Sequence, residues 1–436
     1  MIGLVIATYL YVTSEYTHLP KQPWHGVAQF EITGLSPRRT SYGADWCYTG
    51  TLSTPDGYKN IPCQITLNSK EERPLANRSY LIKGQLKQGK KGGYYFLTDK
   101  KTPWKAVKNS WSFAEMRYQA KKAVTGYIRK QINDKRSADF LAGLATGTFE
   151  DPFMSHEFGR FGLQHIMAIS GFHFAIIASV LALFLRFLIP ERLGTPLLIL
   201  LLSTYFVFLG DSPSVMRAWI TILVGLVAIA LERRAFGLNS LGMAILIIMI
   251  YNPRMSQSIG FQFSTLSTGA ILLFYPLFNE LLSKVFSPRP LSEMIEMKWV
   301  DQHGYMILTT FKQAFALALA VNIVAFPAML FYFQKFPYLS LLFNLFFPFL
   351  VSISMLLLII GLILGPLGGW IHSLNSLYTH FSLNFLYGMP ATMDHTLYAT
   401  DLPSQWLIGL LTLTFLGGIF LMDRKRFPDH PRAKTL

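Results

Sequence analysis

Apolar and polar residues follow two different patterns along the chain. From about residue 137 onward, apolar residues run in long stretches with few charges, whereas residues 20–137 are largely polar. A helix needs about 20 apolar residues to cross a bilayer, so the second pattern predicts a polytopic α-helical membrane protein. The predicted spans lie near residues 166–189, 196–210, 214–232, 238–251, 259–281, 308–333, 339–364, 370–388 and 404–422. The runs 196–210 and 238–251 are short, which favours helices that are tilted, re-entrant or buried in protein.

Residues 25–99 have the short alternating runs of a β domain. The runs DWCYTGTL, NIPCQITL, SYLIKGQL and GGYYFLT are rich in Tyr, Thr, Ile and Leu, and the turn compositions PDG, NSKEERP and KQGKKGG separate them. Four or more strands in so short a segment indicate a small barrel or sandwich, and an OB-like barrel fits the size. The fold class is therefore a polytopic α-helical membrane protein with an N-terminal small β-barrel.

Changes in pattern divide the chain into five segments. Residues 1–20 form a short apolar segment, which fits either a trimmed first helix or a weak signal anchor. The later segments are the OB-like domain at 21–100, a basic amphipathic helix linker at 101–136, a multi-pass membrane domain at 137–425 and a basic tail at 426–436.

Charge orients the predicted spans. The chain carries a formal net charge of +15, and only 14% of its residues are charged, well below the fraction of charged residues in a typical soluble domain. Cytoplasmic loops of membrane proteins carry an excess of Lys and Arg. If the β domain is extracytoplasmic, the basic clusters near 186–192, 233–234 and 284–298 and the C-terminal tail all fall in the cytoplasm. The opposite orientation puts them all on the wrong side, so we expect an extracytoplasmic β domain and a cytoplasmic C-terminus.

Basic residues of the β domain are candidates for binding an anion. Lys87, Lys90 and Lys91 come just before Tyr94 and Tyr95. Cations beside aromatic faces are the combination that binds single-stranded nucleic acid. The alternative is a solvated hairpin tip next to core aromatics.

The linker carries a second basic group. Arg117, Lys121 and Lys122 lie among apolar residues at helical spacing. This pattern is typical of an amphipathic helix at a membrane surface. Contact with a phosphate backbone is the alternative, and it would explain why these charges lie on the extracytoplasmic side.

Cys47 and Cys63, the chain's two cysteines, both lie in the β domain. They form no CxxC motif or Cys/His cluster, so we predict no metal site. If the domain is extracytoplasmic they are candidates for a disulfide, which the sequence alone does not decide.

The apolar run that begins HIMAISGFHF contains polar residues that a lipid-facing helix does not need. These are His165, Ser170 and His173, with Gly171 between them. Each polar side chain either hydrogen-bonds a neighbouring helix or lines a water-filled path.

Two further segments place polar residues at helix starts. In DSPSVMR, Pro213 fits the first position of a helix and Arg217 then lies one turn inside. Arg217 either snorkels to the interface or faces an anionic substrate. In NPRMSQSIGFQFSTLSTGA, Gly260 and Gln262 belong to a polar or small stripe, and Gln262 needs a partner or water.

The chain has none of the motifs HxHxDH, HExxH, GxSxG or GxxxxGK[ST]. We therefore expect that the protein is not an enzyme and binds no cofactor. If it moves a substrate, another protein or a gradient supplies the driving force.

Three segments in this order resemble the ComEC family of competence DNA-uptake channels. They are FLAGLATGTFEDPF…FGRFGLQHIMAISGFHFAII, GDSPSVMRAWI and NPRMSQSIGFQFSTLSTGA. The resemblance implies a bacterial inner-membrane channel that passes one DNA strand during natural transformation. It also implies that the β domain is the family's external OB-like domain. The implied substrate path comprises His165, Ser170, Gly171, His173, Pro213, Arg217, Gly260 and Gln262.

Many members of that family continue into a metallo-β-lactamase-like domain, whereas this sequence has only DRKRFPDHPRAKTL after its last span. The resemblance therefore implies a form without that domain. Its expected partners are single-stranded DNA, the lipid bilayer, a separate nuclease, a DNA-delivery protein and a cytoplasmic helicase. Two alternatives remain at this point: a transporter of another anionic solute, such as a lipid or nucleotide derivative, and a membrane scaffold that conducts nothing.

Overall fold

A computed structural model describes most of the chain. The described residues are 23–40, 43–68, 72–89, 93–99, 102–169, 171–233, 236–390, 395–398 and 403–426.

The N-terminal domain is a five-stranded barrel. Its strands are β1 (Trp24–Thr40), β2 (Gly43–Ser53), β3 (Ile61–Asn68), β4 (Ser79–Gln88) and β5 (Tyr94–Thr98). β1 pairs with both β2 and β4, β2 with β3, and β4 with β5, all antiparallel, while β3 and β5 are parallel. The order 1-2-3-5-4-1 closes the sheet on itself, as in an OB-like barrel. The predicted small N-terminal β-barrel is confirmed.

Close approach of backbones shapes the barrel. β1 is long enough to pair with a strand on each edge, and its register shifts between Ile32 and Gly34, where a bulge bends it. A Cβ atom at Gly50 would overlap the carbonyl oxygen of Glu31, and one at Gly84 would overlap that of Leu97. Glycine is therefore required where neighbouring strands curve over each other.

The barrel's contacts extend beyond residue 100. A short strand, β6 (Lys105–Ala106), pairs with β4, and the indole of Trp104 packs against the rings of Tyr48 and Tyr80. Ala114 belongs to the same buried cluster. The structural unit of the barrel thus includes the start of the following helix.

The cysteines of the barrel are both free and buried. Cys47 lies opposite Thr66 and Cys63 lies opposite Gly50 in the β2–β3 pairing. The offset of three positions separates the two residues along the strands and turns their side chains to opposite faces. The register therefore does not permit the disulfide that the sequence left open.

The rest of the chain is helical, beginning with α1 (Ala114–Gln131), α2 (Lys135–Thr146), α3 (Pro152–Arg160) and α4 (Gln164–Met167). The helices that follow are α5 (Gly171–Leu188), α6 (Glu191–Leu209), α7 (Pro213–Ala230), α8 (Gly237–Tyr251), α9 (Ile259–Val285), α10 (Leu291–Glu296), α11 (Trp299–Phe333), α12 (Ser340–Leu364), α13 (Gly369–Tyr387) and α14 (Ser404–Arg426). Two short strands pair near the C-terminal part of the chain: β7 (Lys335–Pro337), which follows the C-terminal end of α11, and β8 (Thr396–Tyr398), which lies in the loop before α14.

Six segments of the described chain are long and apolar enough to cross a membrane, and two further apolar helices, at 193–209 and 237–251, are shorter. The polytopic helical fold predicted from hydropathy is confirmed. α11 begins at Trp299 rather than near 308, because its first turns are polar and extend the helix outside the apolar stretch.

α1 joins the two parts of the molecule. Its first residue, Ala114, is buried in the barrel core, while Ile128 is buried in a second core formed with α2, α3, α12 and α13. The barrel is thus packed onto the membrane domain through a continuous helix.

Candidate substrate path around Arg217

Arg217 is buried near the start of α7. Ser212 occupies the N-cap position and Pro213 the first helical position, where a missing N–H costs nothing. The Arg217 side chain is only 4% exposed, and its Nε donates a hydrogen bond to Ser264 Oγ of α9 at 2.8 Å. Arg217 therefore faces the helix bundle, and it does not snorkel to the interface.

Gly171, the first residue of α5, makes room for the guanidinium group. A Cβ atom at this position would lie 2.6 Å from Nη2 of Arg217. Glycine lets the start of α5 come into direct contact with the arginine. Arg217 thus brings together α5, α7 and α9, which carry the three polar segments singled out in the sequence.

Arg217 has no acidic partner in the part of the chain that the structure describes. No carboxylate there lies within 4.0 Å of its guanidinium, and the ion pairs present involve other residues. Burying an unpaired cation in a membrane domain is costly. A buried guanidinium of this kind can bind an anionic group.

The two histidines of the first segment lie beside one another. His173 is buried on α5, close enough to His165 of α4 for an electrostatic interaction. His165 is accessible to solvent, and its Nδ1 lies 3.2 Å from the carbonyl oxygen of Gly162. Surrounding protein nevertheless desolvates the ring and lowers the pKa of His165. The accessible ring of His165 can offer a hydrogen bond to a substrate.

Gln262 is engaged at both ends of its amide. Its Nε2 donates to the carbonyl oxygen of Ser256 at 2.9 Å, and Tyr332 of α11 donates to its Oε1. Gln262 therefore positions the start of α9 against α11. Gly260 is exposed on the first turn of α9, and a Cβ there would meet no atom within 4 Å.

Two serines of the site were not singled out in the sequence. Ser264 holds Arg217, and Ser214 donates to the carbonyl oxygen of Ile169 at 3.0 Å, which fixes the connection between α4 and α5 against α7. Both lie inside the polar segments, and helical spacing alone does not distinguish them from their neighbours. Ser170 lies outside the described residues.

Residues 147–426 match the competence protein family, which is well over half of the chain. The chain belongs to the competence protein family. It is also similar to ComE operon protein 3 of Bacillus subtilis, with 24% identity over 171 residues, or 38% of this chain and 21% of that protein. The matched segment thus spans about a fifth of the length of that relative. No solved structure matches the chain.

The family match covers all three path segments of this competence protein and leaves out the barrel and α1. The function of the barrel and α1 must therefore be argued from their own surface. On that surface Lys87 of β4 pairs directly with Tyr95 of β5, and the Tyr95 ring is 39% exposed. Tyr94 is half-buried, and Lys90 and Lys91 lie outside the described residues.

A second aromatic group lies just before α1 of the competence protein. The rings of Trp111 and Phe113 meet edge to face with centroids 4.4 Å apart, and both are exposed. Lys105 and Lys108 are exposed nearby in the sequence. Exposed rings with cations have the composition of a surface for single-stranded nucleic acid. The sequence around these rings has the composition of a turn and no helical or strand periodicity, so it did not predict this surface.

The basic residues of α1 divide into two groups. Arg117 donates through Nη2 to the carbonyl oxygen of Thr33 in β1 at 3.2 Å, and Lys121 donates to that of Leu209 in α6 at 2.8 Å. These two residues join barrel, α1 and membrane domain. Lys122 is exposed and makes no such contact among the described residues.

An ion pair clamps the start of α1 to the barrel. Arg73 donates to both carboxylate oxygens of Glu115, at 2.9 and 2.7 Å, and the backbone N–H of Ala76 donates to Glu115 at 3.0 Å. Hydrogen bonds from Arg73, with those from Ala76 and Gln119, lower the pKa of Glu115 to about 2.

The Glu115 clamp predicts an acid-sensitive barrel. A carboxyl group whose pKa is lower in the folded state stabilises the fold at pH values above its unfolded pKa of about 4.3. That stabilisation is lost as the pH falls from there through about 2. We expect Glu115→Gln to lower the stability of the barrel at pH 7 by about 2–3 kcal/mol and to flatten its dependence on pH below 5. Unfolding midpoints measured from pH 7 to pH 2 test this.

The matched control is Glu31→Gln, on an exposed position of β1. An equally steep dependence of stability on acid pH in Glu115→Gln would contradict the clamp.

Proposed function

We propose that the protein is an inner-membrane channel that passes single-stranded DNA into the cytoplasm during natural transformation. The observation that carries the proposal is Arg217, a buried arginine without a carboxylate partner among the described residues. Three polar segments of a competence-family chain converge on it.

The chemistry of the site suits a phosphodiester backbone. Arg217 offers a cation with a fork of N–H donors that matches phosphate oxygens. His165 adds an accessible ring whose pKa is lowered by the surrounding protein, which favours its neutral form. One charge flanked by neutral polar groups attracts a phosphate without holding it too tightly to move on, as conduction requires.

The barrel would receive the strand before it reaches the membrane. Lys87 beside Tyr95, and Trp111 with Phe113 near exposed lysines, offer ring faces and cations for unpaired bases and their phosphates. In this proposal the barrel is extracytoplasmic and the C-terminus cytoplasmic, as the distribution of basic residues favours. A separate nuclease, a DNA-delivery protein and a cytoplasmic helicase would act before and after the channel, which itself has no enzymatic role.

A transporter of another anionic solute is the second candidate, because Arg217 attracts any small anion. It differs from the DNA channel in its extramembrane part, since a solute carrier does not need exposed aromatic rings beside lysines on its barrel. A scaffold that conducts nothing gives no reason for burying an unpaired arginine.

Uptake of labelled duplex DNA tests the proposed function. Cells with the gene and cells from which it is deleted are compared for DNA bound at the surface and for single strands in the cytoplasm. We expect the deletion to keep surface-bound DNA and to lose the cytoplasmic strand. Cytoplasmic strands at the normal level in the deletion would reject the DNA channel and favour the solute transporter.

A further inference from the structure

A cavity lies at the junction of barrel, α1 and membrane domain. It has a volume of about 240 Å³, and its walls include Thr33 of β1, Arg117 and Lys121 of α1, and Gly210 and Asp211 between α6 and α7. Ligand sites for drug-sized molecules start at about 300 Å³, so this one suits a smaller group.

Two cations line the cavity, and neither has an acidic partner within 4.0 Å among the described residues. Nε of Arg117 is buried without a hydrogen-bond partner. Burial, and to a smaller extent Arg117, lowers the pKa of Lys121 to about 8. Two cations on the wall of one small cavity, without an acidic partner among the described residues, can be neutralised by an anion that enters it.

Backbone groups complete the walls. Gly210 has a φ of 91°, which favours glycine, and a Cβ there would lie 2.5 Å from Nη1 of Arg117, so a larger residue would displace the guanidinium. α7 begins three residues later, and the N-terminal end of a helix carries the positive end of its dipole. Among the described residues of the cavity wall, Asp211 is the only one with a carboxylate, and it is exposed.

We infer that this junction cavity binds a phosphodiester group of the incoming DNA strand, at a step before Arg217. The inference rests on the proposed function for the identity of the anion. Arg217 lies five residues beyond Ser212, a member of the cavity wall, which is an axial rise of about 7.5 Å along α7. The cavity and Arg217 would thus act in succession at the start of the same helix.

Binding of a fluorescent single-stranded oligonucleotide to the full-length protein tests the inference, with the protein in nanodiscs of zwitterionic lipid. We expect Arg117→Gln and Lys121→Gln each to weaken binding about tenfold at low salt. Each should also lower the slope of log K against log salt by about 1. Lys122→Gln is the matched control, since it removes a cation of the same helix outside the cavity, and it should change affinity much less. Equal losses in all three variants would reject the cavity in favour of general attraction to α1.

A gain of affinity separates binding from damage to the fold. Asp211→Asn removes the negative charge that the described residues place on the wall, so we expect tighter binding and a steeper salt dependence. Unchanged or weaker binding in Asp211→Asn would overturn the inference. In nanodiscs that contain phosphatidylglycerol, competition that disappears in Arg117→Gln would assign the cavity to a lipid headgroup instead of DNA.

The titration of Lys121 gives a second signature. Lys121 faces Arg117 and Tyr118 on its own helix and Asp211 across the cavity. As the pH rises from 7 to 9 the cavity loses the charge of Lys121, so affinity should fall in the unmodified protein and stay level in Lys121→Gln. An equal fall in both would contradict the role of Lys121.

Failure of this inference and failure of the channel give different results. Arg217→Ala should keep oligonucleotide binding and lose uptake, whereas Arg117→Gln should weaken binding about tenfold. Normal uptake in the gene deletion would reject the channel even if the cavity variants bind as expected.

Discussion

Replacing Arg217 by alanine should lower the appearance of cytoplasmic DNA strands by a factor of 100 or more at an unchanged level of protein. The guanidinium is the buried cation at which α5, α7 and α9 meet, and a phosphate passing through a site without it would be desolvated with no compensating charge. Removing one partner of a buried charged contact costs about 3–5 kcal/mol, which corresponds to a factor above 100. Uptake of labelled DNA in cells with matched protein levels measures the effect.

The matched control for this prediction is Arg186→Ala. Arg186 lies near the other end of α5 and is exposed, so its loss should leave uptake close to normal. Arg217→Lys keeps the charge but loses the planar fork and the bond from Nε to Ser264, so we expect partial activity. Gly171→Val should resemble Arg217→Ala, because the added side chain occupies the space of Nη2. Normal uptake in Arg217→Ala would show that Arg217 does not contact the passing strand.

Replacing Gly50 by valine should prevent the barrel from closing. A side chain at this position would overlap the carbonyl oxygen of Glu31 and press on the ring of Phe30. The obstacle is backbone in the β1–β2 pairing next to the register shift, so neither strand can yield without losing hydrogen bonds. Even Gly50→Ala should cost about 3 kcal/mol, at the upper end for overpacking. That loss corresponds to a fall of roughly 12–24 °C in the midpoint of a domain of this size.

Thermal unfolding of the barrel, followed by near-ultraviolet circular dichroism of its tryptophans, measures the loss. Gly93→Ala is the control within the same barrel, because a Cβ at Gly93 would meet no atom within 4 Å. We expect Gly93→Ala to keep the normal midpoint, and DNA uptake to follow barrel stability in both variants. A Gly50→Ala barrel as stable as the unmodified one would show that β1 can move away from β2.

Strands and helices with a regular pattern of apolar residues could be predicted from the sequence. Contacts between segments far apart in the sequence could not. The alternation in β3 and the apolar runs of α5 and α12 are set by the burial of neighbouring residues. β1 was missed as a single strand because Gly34 and Pro37 interrupt its alternation, and it is completed only by pairing on two edges. The free state of Cys47 and Cys63 likewise depends on register, which spacing along the chain does not determine.

The sequence predicted which segments form the candidate path, but it did not predict which of their side chains come into contact. The burial and isolation of Arg217 follow from Gly171 and Ser264, each more than 40 residues away in the sequence. The junction cavity depends on Gly210 meeting Arg117 across the boundary between barrel and membrane domain. In one sequence, Arg117 and Lys121 look like any solvated helix face, because nothing local shows that α6 ends beside them.

Because both native cysteines are buried, the route of the strand can be mapped by labelling cysteines introduced at chosen positions. Burial raises the pKa of Cys63 to about 12, so almost none of it is the reactive thiolate near neutral pH. Cys47 is 3% exposed, with the amide of Gln64 against its sulfur. A single cysteine placed at His165, or at Ser212 on the wall of the junction cavity, would therefore be the main target of a maleimide reagent, with both native residues in place. The order in which such positions become protected when a tethered strand is stalled would trace its route residue by residue.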